Sequence, residues 1–195
     1  MPSRAWIIAR DTPLTRALTG AQFAEYHCAA VDRTHEEVFE AFHRLTWSDL
    51  RIGRALLMVR GFGLIGDALR RPIVTPPSPA APVYEEPPTY TTSAMIGKPW
   101  LPVPASRPVR SLEDVAGFGE PGWLKYGMEW GFTGTDDGRT LVETATLCEA
   151  TSRSAVLLFG AYWALIRGFS GLLRREMLKA LSAMGPPPAA GASGR

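Results

Sequence analysis

Cysteine is almost missing from the chain. Of 195 residues only Cys28 and Cys148 carry a thiol, 120 positions apart and outside any CxxC or Cys/His spacing. That excludes a disulfide framework and a structural zinc site. An excess of charge of one sign is also lacking: 21 Lys and Arg stand against 19 Asp and Glu, a net of +2. No electrostatic footprint for nucleic acid follows from such a balance. Long apolar runs are scarce as well. Ile7–Ile8–Ala9 is hemmed in by Arg4, Arg10 and Asp11, which leaves no signal-peptide core. The longest uncharged apolar run of the second half, Ser154 to Ile166, covers thirteen residues, whereas crossing a bilayer takes about 20. His27, His35 and His43 show no HExxH or paired spacing, so neither a metal nor a cofactor is expected. Together these absences describe a soluble, cytoplasmic chain with reduced thiols, no nucleic-acid partner and no stable membrane insertion.

What is present fits one globular domain. Hydrophobic residues make up 46% and charged residues 21%, and a chain of this length buries about 70% of its unfolded surface without help from metals or disulfides. Glycine (19) and proline (17) exceed average usage, and eleven of the prolines fall between Pro72 and Pro108. Residues 71–110 are therefore expected to be irregular, with short strands over Pro82–Glu86 and Thr89–Lys98. Residues 1–20 carry little periodicity and read as a flexible arm. The domain proper is expected over 21–184, and the Pro/Gly/Ala/Ser-rich end, 185–195, as a disordered tail.

Phe23 to Val31 suits a strand. With Glu25 and His27 facing out, Tyr26, Cys28 and Ala30 face in. Thr34-His35-Glu36-Glu37 has the pattern of a capping box, and Val38, Ala41, Phe42 and Leu45 follow at i, i+3, i+4, i+7, the spacing of an amphipathic helix. Thr46–Asp49 repeats the cap logic before a second short helix reaching about Met58. Leu124, Tyr126, Met128, Trp130 and Phe132 alternate with Lys125, Gly127, Glu129, Gly131 and Thr133, predicting an antiparallel strand with one wet face. Asp136-Asp137-Gly138 supplies a turn, and Arg139–Glu149 returns with Val142, Thr144, Thr146 and Cys148 beside the aromatic row. From Ser152 to Met184 the period becomes helical, with Leu158, Tyr162, Leu165, Phe169, Leu172, Leu173 and Met177 as the inward stripe and a bend expected near Gly168–Gly171.

The predicted class is α+β: a curved antiparallel sheet wrapped around a long C-terminal helix, with two short helices after the first strand. Val31–Leu45, Glu120-Pro121-Gly122-Trp123-Leu124-Lys125 and Tyr162–Leu178 resemble the SRPBCC (START-like, birch-pollen-allergen-like) helix-grip superfamily, in an uncharacterised actinobacterial-type subgroup. The resemblance spans residues 23–184. It implies a hydrophobic cavity that takes a lipid- or polyketide-like ligand, and in some members cyclase-type chemistry. It supplies no catalytic set for this chain.

On that plan the residues expected to line a ligand are Tyr126, Met128 and Trp130 on the sheet, Thr144 and Thr146 beside them, and Tyr26 and Tyr162 as polar handles. The same side chains can simply make core, and buried tyrosines and threonines commonly satisfy themselves there. Gly61-Phe62-Gly63 and Gly117-Phe118-Gly119 are fragments of phosphate loops without the lysine, and read as loop glycines. Arg167, Arg174, Arg175 and Lys179 read as a solvated helix face, with contact to an anionic membrane surface as the other reading. Three functions stay open: a carrier or sensor of a hydrophobic small molecule, a cyclase- or dehydratase-type enzyme in the same cavity, and an interaction module with a filled core. An inward cluster of Asp, His or Tyr would separate the second from the first. The phasing above offers none, which favours binding over catalysis.

Overall fold

The computed structural model describes residues 2–59, 67–76 and 78–185. The tail expected over 185–195 lies, beyond Gly185, outside those residues, as does Gly61-Phe62-Gly63. In chain order the elements are α1 (Arg4–Ile8), α2 (Pro13–Ala17), β1 (Phe23–Val31), α3 (His35–Arg44), a 3-10 turn (Trp47–Asp49), α4 (Arg51–Val59), α5 (Asp67–Arg70), β2 (Tyr84–Glu86), β3 (Tyr90–Lys98), β4 (Ala105–Arg107), α6 (Leu112–Gly117), β5 (Leu124–Gly134), β6 (Thr140–Ala150) and α7 (Arg153–Ala183). The class is α+β, and the arrangement is that of a helix grip. Six antiparallel strands form one open, curved sheet in the order β1-β6-β5-β3-β2, with β4 also on β3, and the long α7 lies against it.

The local chemistry explains the elements. Thr34 and Glu37 close the expected capping box at α3, each side chain taking the other's amide at 3.4 and 3.2 Å. Thr46 instead donates its amide to Asp49 at 2.8 Å, which tightens 47–49 into the 3-10 turn and delays the next helix to Arg51. The β5–β6 hairpin turns where Gly138 takes φ +79°, a conformation other residues enter at a cost. Ser152 caps α7 through the Ala155 amide. Arg33 donates to the carbonyls of Leu181 and Ser182 at its other end, where no amide remains to do so. The helix is continuous through Gly168–Gly171.

Residues opposite each other across paired strands share a face. The register therefore sorts the sheet into two sides. One side presents Phe23, Glu25, His27, Ala29 and Val31 of β1 beside Thr140, Val142, Thr144, Thr146 and Cys148 of β6. It continues through Phe132, Trp130, Met128 and Tyr126 of β5. This side faces α3, α4 and α7. Phe42 of α3 packs 5.1 Å from the Trp130 ring, inside an apolar cluster that includes Leu45, Leu50, Phe132, Met177, Leu178 and Leu181. At the other end of α7 a smaller cluster joins Leu124, Cys148, Ala155 and Phe159, with Phe23, Tyr126 and Tyr162 against it.

The second side was expected to be wet. It is covered. Residues 1–20, read as an arm, supply α1 and α2, whose Ile7, Leu14, Ala17 and Leu18 join Leu112 and Val115 of α6 over Ala94, Ala145 and Leu147 of the sheet. Gly127 of β5 makes the approach possible: a methyl added there would stand 2.7 Å from Leu14 Cδ1. The charged residues on this face are buried with their partners. Glu129, 1% exposed, accepts from Thr12 at 2.5 Å, Tyr90 at 2.7 Å and Arg10 at 3.0 Å. A charge read from sequence as a mark of water is here a mark of partners 39 to 119 residues away.

Candidate functional site

Two corrections place the site. The first concerns β1, whose phase is the reverse of the expected one: Glu25 and His27 point toward α7, and Tyr26 points away from it. The Tyr26 hydroxyl donates to Glu143 at 2.6 Å, and its ring meets Trp6 edge-on and Arg10 across its face. Burial, together with Glu143, raises its pKa well above the usual tyrosine range. Tyr26 is therefore fastened among the N-terminal helices, on the wrong face for a ligand beneath α7. The alternation contained the signal, because Phe23 and Val31, the large apolar ends of the strand, share the phase of Glu25 and His27.

The second correction concerns α7. Its buried residues are Ala155, Phe159, Gly171, Arg174, Met177, Leu178 and Leu181. Leu158, Leu165, Phe169 and Leu172, expected inside, are exposed. Apolar residues surround the middle of this helix on every side, so periodicity alone could not choose the inner one. Arg174, read as off the stripe, lies on it: Arg174, Met177, Leu178 and Leu181 follow the i, i+3, i+4, i+7 rule.

These corrections bring a polar cluster together between the two apolar packs. Glu25 Oε1 lies 3.0 Å from His27 Nε2, with the two side chains only 3% and 10% exposed. Thr146 sits opposite Glu25, and Thr144 sits between His27 and Trp130. From above, Arg174 donates through Nη2 to Thr146 Oγ1 at 2.9 Å and places its guanidinium 6.0 Å from the Trp130 ring centre. Burial pulls the Arg174 pKa down to about 10, with Glu25 and Cys148 acting against it, so the group remains a cation at neutral pH. Burial likewise pushes the neighbouring Cys148 thiol up, leaving an unreactive sulfur. The helix can pass this close because residue 171 is glycine: a methyl there would fall 2.7 Å from Glu25 Oε1 and 3.5 Å from the His27 ring.

Four buried atoms of the cluster make no hydrogen bond among the described residues: Glu25 Oε2, Trp130 Nε1, Thr144 Oγ1 and Arg174 Nε. Each such atom costs about 1–3 kcal/mol if it stays unpaired. Beside them the packing opens. From residue 160 to 170 no residue of α7 is buried, although Trp163, Ile166 and Ser170 continue the inward stripe by phase. Below, Met95, Tyr126, Met128 and Thr146 are also only half-buried on the same side of the sheet. The helix is thus buried at both ends and only partly buried in between, over a floor that is itself partly accessible.

The other expected site residues divide. Thr144 and Thr146 belong to the polar cluster. Tyr126 and Met128 lie on the floor, and Tyr162 lies half-buried 6.0 Å from the Phe159 ring. Trp130 is 1% exposed and packed on Phe42, a core residue that contributes only its indole N–H and ring edge to the cluster. Glu25, His27 and Arg174 were missed. A separate open depression of about 430 Å³, bounded by Ile96, Arg107, Pro108, Arg110, Asp114 and Phe118, involves no residue of α7. Among the described residues no group of three His, Cys, Asp or Glu side chains is placed to hold a metal ion. Comparison with family models, with characterised proteins and with solved structures yields no match.

Proposed function

We propose that this chain is a helix-grip protein of the SRPBCC type that reversibly binds a hydrophobic, lipid- or polyketide-like small molecule as a carrier or sensor. The apolar body of the ligand would lie on Tyr126 and Met128 beneath the partly buried middle of α7. Its polar end would meet Thr144, Arg174 and Glu25. The observation that carries this reading is the set of four buried atoms around Arg174 without hydrogen bonds among the described residues. Natural interiors keep such groups rare, and three of the four can donate to a ligand oxygen. A few convergent polar groups beside apolar floor are what ligand sites of this kind use. A cytoplasmic location, with both thiols free, belongs to the same proposal.

A second reading, a cyclase- or dehydratase-type enzyme, draws on the 3.0 Å Glu25–His27 pair. Here is the inward titratable group that the sequence phasing did not offer, and a carboxylate-oriented imidazole is suited to moving a proton at a ligand oxygen or α-carbon.

The test is a thermal-shift panel of long-chain acids and polycyclic phenols and ketones, paired with native mass spectrometry of protein purified from its own host. A co-purifying small molecule and a ligand-dependent rise in Tm are expected, lost in Arg174→Met and reduced in Thr144→Val. A panel that moves nothing, with no bound mass, overturns the proposal. Conversion of a bound ketone that stops in His27→Gln would move the assignment to the enzyme.

A further inference from the structure

The outer side of α7 is the least explained surface of the molecule. Leu157, Leu158, Leu165, Phe169 and Leu172 are 43–76% exposed. Alanine or glycine fills the positions between them at 161, 164 and 168, also exposed. No charge interrupts this side from 157 to 172, a length of roughly 22 Å at 1.5 Å per residue. Single exposed leucines are ordinary, but a continuous apolar strip of this kind marks a contact surface. The whole helix is long and apolar enough to cross a membrane by length and composition, yet its most apolar window is only 11% buried, unlike the core helix of a soluble protein.

The charges bordering the strip are of one sign. Arg153 precedes it, Arg167 flanks it, and Arg175 and Lys179 follow it, all exposed. The single acid of α7, Glu176, is turned aside, its carboxylate held by the amides of Ile52 and Gly53 at 2.9–3.1 Å. The helix holds five basic residues and one acid, +4, so the rest of the chain, at +2 overall, carries −2. That asymmetry was invisible in the net charge.

We infer that α7 lies flat on an anionic phospholipid surface, with Leu157, Leu165, Phe169 and Leu172 in the acyl–headgroup boundary and the four exposed cations among the headgroups. Charge complementarity selects this occupant. A second copy docking helix to helix would set +4 against +4. Crossing the bilayer is ruled out by the other side of the helix, because it would pull Arg174 and Met177 from the sheet, and the strip itself is shorter than the roughly 30 Å hydrocarbon layer. The inference does not depend on whether the cavity takes a ligand.

Flotation with vesicles of phosphatidylcholine alone, and of equal parts phosphatidylcholine and phosphatidylserine, tests it. Binding is expected to the anionic vesicles and to fall steeply with salt. Leu165→Glu and Phe169→Glu should each weaken it on the order of tenfold or more, and Arg175→Gln or Lys179→Gln about fivefold. Thermal melts of Leu165→Glu should match the parent, since the residue is 72% exposed. Absence of flotation, flotation that ignores phosphatidylserine, or flotation undiminished in Leu165→Glu with an unchanged melt would each overturn the inference. So would a dimer, seen by light scattering, that Leu165→Glu splits while vesicles recruit nothing.

Discussion

The two faces of the sheet handle buried polarity in opposite ways. On the side covered by α1 and α2, Glu129 is surrounded by three donors, and Arg10 and Tyr26 share Glu143. On the side covered by α7, Arg174 spends one nitrogen on Thr146, Glu25 spends one oxygen on His27, and four other buried polar atoms find no partner among the described residues. A closed network fixes a core, because every member loses its partner if any one is removed. An incomplete one is a standing cost, tolerated where something else is to be recognised. Burial and charge look alike on the two sides; only the accounting of hydrogen bonds tells them apart.

Substitutions can break that contrast. Glu129→Ala leaves the Tyr90 and Thr12 hydroxyls without their shared acceptor and Arg10 with Glu143 alone, and a loss of about 2–4 kcal/mol is expected in urea denaturation. Gly127→Ala drives a methyl to 2.7 Å from Leu14 and 2.8 Å from the Ser93 carbonyl, and should cost about 1–3 kcal/mol in the same measurement. Arg174→Met should leave stability unchanged or raise it by about 1 kcal/mol, since it removes a cation that the protein only half satisfies. A loss as large as that of Glu129→Ala would place Arg174 in the structural class and remove the distinction.

The smallest effect is one of pH. Burial holds the Glu129 carboxyl above the ordinary carboxylate range, with Thr12, Tyr90 and Arg10 pulling the other way. A carboxyl raised in the folded state binds its proton more tightly there than in the unfolded chain. Its contribution is therefore present below the ordinary glutamate pKa and fades as the pH climbs through the raised value. Stability should decline over that interval in the parent and decline less in Glu129→Gln, as urea titrations at stepped pH would show.

Much of the frame was legible in the sequence. Tyr126, Met128 and Trp130 alternate with small or charged residues so regularly that strand, hairpin and inner face follow, and Thr34–Glu37 places α3. The failures share one cause. Glu129 reads as solvent-facing because its coverings, Arg10 to Leu14, arrive from the far end of the chain. Glu25 and His27 were turned outward by the same rule, and Gly171 is the later residue that makes room for them. Along α7, Leu165 and Phe169 are as apolar as Phe159 and Met177, so hydrophobicity could not say which side meets the sheet.

The placement of β1 has a consequence for how the chain is made. Among the described residues its only hydrogen-bonded strand is β6, from Phe23 against Cys148 to Val31 against Thr140. The first strand and the two helices before it must therefore wait, during synthesis, until residues 140–148 have emerged. Pairings so distant in sequence are slow to form. Nascent chains halted before β5 should consequently offer Phe23–Val31 to proteases, and full-length chains should shield it.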